Sequence, residues 1–132
     1  MSFTNHGEEL ALTWMFTTSS ATRPTAWYLS LHDGAAGETG ANEVDTGTDA
    51  DYVRKSVTFA DPVAGSGKVL SDIQASWAAA AGASNYTITH VCIWDALSAG
   101  NCLMTGALVV PFAQVAAGVF TLAAGKVVAA LD

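Results

Sequence analysis

Positive charge is scarce in this chain. Its 132 residues carry 5 Lys and Arg against 12 Asp and Glu, for a formal net charge of -7. So few cations cannot neutralise a phosphate backbone, which argues against nucleic-acid binding. Charge of either sign is low, at 13 % of residues, while 51 % are apolar. A short chain so rich in core-formers either has a large core for its size or hides surface against partners. Long apolar runs are missing too. The most apolar stretch, from Val115 to Leu131, is interrupted by Gly118, Gly125 and Lys126. A spanning helix wants about 20 apolar residues in a row, so no membrane segment is expected. The N-terminus holds Glu8 and Glu9 and no basic region, unlike a signal peptide. Two cysteines without an export signal point to synthesis in a reducing compartment.

Catalytic and metal-binding patterns are equally thin. Cys92 and Cys102 form no Cys-x-x-Cys unit, and the histidines His6, His32 and His90 are scattered, so a zinc site lacks its ligands. His90 and Cys92 share a strand face but lie about 7 Å apart along it, too far for a dyad. The run Gly65-Ser66-Gly67-Lys68 looks like part of a phosphate loop. Pro62 stands where that motif needs its first Gly, and Val69 where it needs Ser or Thr. A hairpin turn is the better reading. Asp45, Asp49 and Asp51 lack the order of a calcium loop, and no Gly-x-Ser-x-Gly elbow is present. No enzyme, metal or cofactor is expected.

What is present is strand pattern. Trp27 to His32 alternates, with Trp27, Leu29 and Leu31 on one face. Tyr52 to Phe59 predicts a second strand, with Tyr52 and Arg54 on one face and Val53, Lys55, Val57 and Phe59 on the other. Lys68 to Trp77 predicts a third, and Ala78 to Ala83 could form a helical turn. Asn85 to Asp95 and Cys102 to Val110 form a hairpin across a tight link, which Pro111 should end. Strands over Val119 to Leu122 and Lys126 to Leu131 close the chain, the latter apolar enough for burial on both faces. Ahead of all of them, Asn5 can cap a helix with Glu8 three residues on. Leu10, Trp14, Met15 and Phe16 spread over more than one side of that helix, which suggests docking. The expected architecture is mainly β: one domain over 1–132, an antiparallel β-sandwich or barrel. Residues 1–20 form a helical N-terminal arm and 34–50 a long acidic loop. Arg54, in a chain so short of cations, should find a carboxylate or carbonyl; Asp95 and Asp61 are the candidates.

The order of motifs carries a resemblance. It runs from the Leu10-x-x-x-Trp14 helix through "WYLSLHD", Glu43-Val44 and "YVRKSVTFADP" to "VCIWDALSAGNCLMTGAL" and "FTLAAGKVVAALD". The most specific parts are Tyr52-x-Arg54-x-x-Val57-x-Phe59, Ile93-Trp94-Asp95-Ala96 and Gly100-Asn101-x-Leu103-x-x-Gly106-Ala107-Leu108. Over nearly its whole length the chain resembles a family of small tailed-phage virion proteins, often labelled tail fibre proteins. The cysteines are not part of that pattern. The resemblance implies a non-enzymatic virion component, assembled in the bacterial host cytoplasm. A fibre shaft has repeats or coiled-coil segments, and this chain has neither. A capsid cement or decoration protein is therefore the leading expectation, and a small tail, collar or fibre-associated subunit the alternative. Expected partners are further copies of the chain, as a trimer, and the major capsid protein or tail proteins. Leu10, Trp14, Met15, Phe16, Glu43, Asp45 and Arg54 are the candidate contact residues.

Overall fold

The computed structural model describes residues 1–130. Its elements are β1 (Ser2–Phe3), α1 (Asn5–Phe16), β2 (Trp27–His32), β3 (Lys55–Val57), β4 (Lys68–Leu70), β5 (Ala75–Ala78), β6 (Tyr86–Trp94), β7 (Cys102–Gln114), β8 (Val119–Leu122) and β9 (Val128–Ala130). A five-stranded sheet runs in the order β1-β7-β6-β2-β3, and two ribbons pair β4 with β9 and β5 with β8. Every pairing is antiparallel and the sheet stays open, so the mainly β, antiparallel expectation is realised and the barrel alternative is not.

The period of two sets what each face of the sheet meets. Leu29 pairs with Ile93, Leu31 with Val91, and Ile93 with Met104, so these side chains share one face. Trp77 and Phe120 from the β5–β8 ribbon and Val127 beside β9 bury with them in the main core. Each such side chain, fully buried, contributes about 1.5–3 kcal/mol. The opposite face presents Tyr28, Ser30, His32, Cys92, Trp94 and Cys102. There Ala36, from the loop 34–50, packs in a second buried cluster with Cys92, Trp94 and Cys102. The acidic loop is thus a cover on the sheet, and Val44 within it joins the main core.

Several local expectations change. Thr4, not Asn5, caps α1: its hydroxyl accepts from Gly7 N at 3.2 Å and donates to Cys102 O at 2.6 Å. Asn5 is the first helical residue, and its N–H donates to Glu38 Oε2 at 2.6 Å. Gly7 seats the helix on β7, since a Cβ there would lie 2.2 Å from the Leu103 carbonyl oxygen. The strand at Tyr52 shrinks to Lys55–Val57, with Phe59 bridging Ser71. The third strand splits, because Ser71 accepts backbone bonds from Gly125 and the chain turns before Ala75. Ala78 ends β5 and residues 80–83 form a turn, not a helix, and Gly65 lies in the turn before β4.

Pro111 does not end β7. The register jumps from His90↔Ala107 to Ile88↔Phe112, so Leu108, Val109, Val110 and Pro111 stand opposite Thr89 alone. A bulge tolerates a proline because its N–H owes no ladder bond. β9 is only half-buried on its ribbon, against the expectation of burial on both faces; Leu131 lies outside the described residues.

Candidate functional site

Arg54 stands at the centre of the tightest polar cluster. Its Nε donates to Glu43 Oε1 at 2.8 Å and its Nη2 to Glu43 Oε2 at 2.7 Å, a two-point match of guanidinium and carboxylate. Nη1 donates to the carbonyls of Ala96 at 3.0 Å and Ala99 at 2.8 Å. The guanidinium carbon lies 3.6 Å from the centre of the Trp94 ring, a stacked cation–π contact. Tyr52 completes the cluster, donating to Glu43 Oε1 at 3.0 Å and accepting from Leu31 N at 3.0 Å. Burial, reinforced by the Glu43 charge, pushes the Tyr52 phenol well above its ordinary range, so it stays a donor. These bonds join the covering loop, the lead-in to β3 and the tip of the β6–β7 hairpin. The tip is tied again by Asp95, which accepts from Asn101 N at 2.7 Å and Asn101 Nδ2 at 2.9 Å. Gly100, at φ +74°, supplies the left-handed turn between them.

A second polar chain lies behind Trp94. Trp94 Nε1 donates to Ser30 Oγ at 2.7 Å, Ser30 Oγ lies 2.6 Å from His32 Nε2, and His32 Nδ1 lies 2.7 Å from Ala41 O. A neutral imidazole with its proton on Nδ1 satisfies every member in sequence. Contact with the Cys102 thiol and with His32 pulls the Cys92 thiol down, and the same contact pushes Cys102 up. Histidine beside a thiol is the raw material of a nucleophile. Here His32 and Cys92 are fully buried, and neither lines any of the surface clefts described below.

The loop acids are engaged as structure. Asp49 is buried; its Oδ1 accepts from Ala80 N at 2.9 Å and its Oδ2 from the Tyr86 hydroxyl at 3.0 Å. Asp45 is exposed and accepts from Thr48 N at 2.8 Å, which holds its carboxyl below its ordinary range.

The outer surface is unusual for the opposite reason. Trp14 is 71 % exposed, Phe16 75 % and Val109 101 %. Gly7 and Leu10 turn inward, while Leu12, Met15 and Phe16 follow Glu8 at helical spacing along an outward stripe. A cleft lined by Met1, Ser2, Glu8, Leu12, Met15 and Ala130 borders that stripe. It shares Met1 and Ser2 with a larger cleft, of about 600 Å³, lined by Leu108, Val109, Lys126 and Val128. On the other flank of the helix, Trp14 overhangs an apolar cleft of about 320 Å³ containing Phe3, Leu10 and Trp27.

The predicted contact residues therefore separate. Glu43 and Arg54 meet each other, and neither Asp95 nor Asp61 is the arginine's partner. Trp14, Met15 and Phe16 are exposed, Leu10 is half-buried against the core, and Asp45 is exposed but tied to its own turn. Sequence reasoning missed His32 beside Cys92 and the exposed bulge at Val109. The first has no local signal; the second had one, the uninterrupted apolar run Ala107 to Ala113.

A family profile described as Podophage GP4 fiber I protein gp80 matches residues 2–130. The chain belongs to this podophage fibre protein family. No curated protein matches it.

Proposed function

We propose that the chain, as a member of this fibre family, is a non-enzymatic structural subunit of a phage tail fibre or of the fibre's attachment, carried in the virion as a homotrimer. The observation that carries the reading is the family match over residues 2–130. It favours the tail alternative over the capsid cement expected from compactness alone. The absence of shaft repeats still matters: this chain serves as a compact fibre module, not as a shaft. The chemistry of the interior supports the same role. Its signature residues Tyr52 and Arg54 converge with the distant Trp94 on one clamp, and the clamp holds loop and hairpin without opening a cleft for substrate. Exposed apolar side chains on α1 and β7 supply surface for neighbouring chains.

Immunogold labelling of intact particles tests the position, with copy number per particle by quantitative mass spectrometry. Label on the tail, with a few dozen copies or fewer in multiples of three, is the expected result. Label spread over the shell in hundreds of copies would restore the cement reading.

A further inference from the structure

The outward stripe of α1 and the β7 bulge adjoin on either side of β1. The two clefts beside them meet at Met1 and Ser2, so apolar surface runs from Leu12 and Met15 past β1 to Val109 and Val128. Glu8 stands at one end of this face and Lys126 at the other, both exposed. Among the described residues the only ion pair is Arg54–Glu43, so neither Glu8 nor Lys126 has an ion-pair partner there. We propose that a second copy of this chain covers the face, the Glu8–Leu12–Met15 stripe of one copy seating in the Val109–Val128 cleft of the next, with Glu8 against Lys126. This deepens the homotrimer reading above and rests on it.

Two features select another copy as the occupant. The ends of the face carry opposite charge, so head-to-tail contact brings unlike charges together at every junction. Where the rotation between copies closes, repeated head-to-tail contacts of this kind form a ring such as a trimer. The available area is adequate as well. Phe16 alone, at 75 % exposed, offers on the order of 100–200 Å². Leu12, Met15, Val109 and Val110 extend this toward the roughly 800 Å² that each partner buries in a standard interface.

The test uses the full chain in solution, with mass read by light scattering and sedimentation. Wild type should be trimeric. Glu8→Lys and Lys126→Glu should each weaken association about tenfold by setting like charges together. The double variant, which restores the pair with its sense reversed, should recover the wild-type mass. Val109→Asp should give a monomer with an unchanged circular dichroism spectrum, which separates loss of contact from loss of fold. A wild-type monomer at every concentration would overturn the inference, as would an oligomer indifferent to Val109→Asp or single charge reversals that the double does not rescue. Particle labelling is read separately, so a tail-located protein with a different interface would sink this inference and leave the functional reading standing.

Discussion

Two regions of the molecule invert the usual distribution of polarity. Around Arg54 the interior holds a guanidinium, a carboxylate, a phenol and an indole, with Arg54 only 8 % exposed. Along α1 and the β7 bulge the surface holds Leu12, Met15, Phe16 and Val109. The interior cluster is tolerable because its donors and acceptors are matched: Arg54 meets one carboxylate and two carbonyls, and Trp94 covers its plane. The surface stripe has no such compensation within the chain. The first region maintains a shape; the second, on the proposal above, is covered by a neighbouring copy. If that division is right, substitutions in the two should separate cleanly into losses of stability and losses of association.

Arg54→Ala should be the most damaging. It leaves Glu43 partly buried without its cation and frees two carbonyls of the hairpin tip, at a cost of about 3 kcal/mol in denaturant unfolding. An unchanged midpoint would mean that the clamp is ornamental. Gly7→Ala comes next, since its Cβ meets the Leu103 carbonyl oxygen; about 1–3 kcal/mol is expected as the helix lifts from β7. If its melting temperature equals the wild type's, the helix is not seated as described.

Cys92→Ser and Cys102→Ser test whether the thiols belong to the structural region. Each should cost about 1–2 kcal/mol for a hydroxyl placed among buried neighbours, and the double variant should still fold and assemble. Retained fold with lost assembly would move the cysteines to the other side of the comparison. Leu12→Ser with Met15→Ser should shift stability by less than about 0.5 kcal/mol while association falls. A large loss of stability in the dissociated chain would show the stripe to be core. Smallest is Asp45→Asn. The folded carboxyl titrates below its ordinary value of 3.8, so its contribution is present above that pH and is lost as pH falls through the depressed value. The melting difference between variant and wild type should shrink on acidification; a difference that grew would reverse the assigned sign.

Much of the fold could be read because local geometry is imprinted on the chain. Alternation alone gives β2 its bounds, and the length of the link gives the β6–β7 hairpin. Errors arose where a rule is local but the outcome is not. Asn5 and Thr4 are both good caps, and Thr4 won because its hydroxyl also reaches Cys102 O across the sheet edge. Pro111 breaks a regular ladder but not one already bulged.

The sequence by itself determined that the protein is mainly antiparallel β with one N-terminal helix, and that this helix is apolar on more than one side. Periodicity of two or 3.6 residues depends only on backbone geometry, so composition and spacing carry it. Only the tertiary structure decided that Arg54 pairs with Glu43, that His32 lies beside Cys92, and that the acidic loop lines a sheet face. Those meetings depend on how separate strands and a loop pack together. No local spacing encodes which of several carboxylates will be left facing the one buried guanidinium.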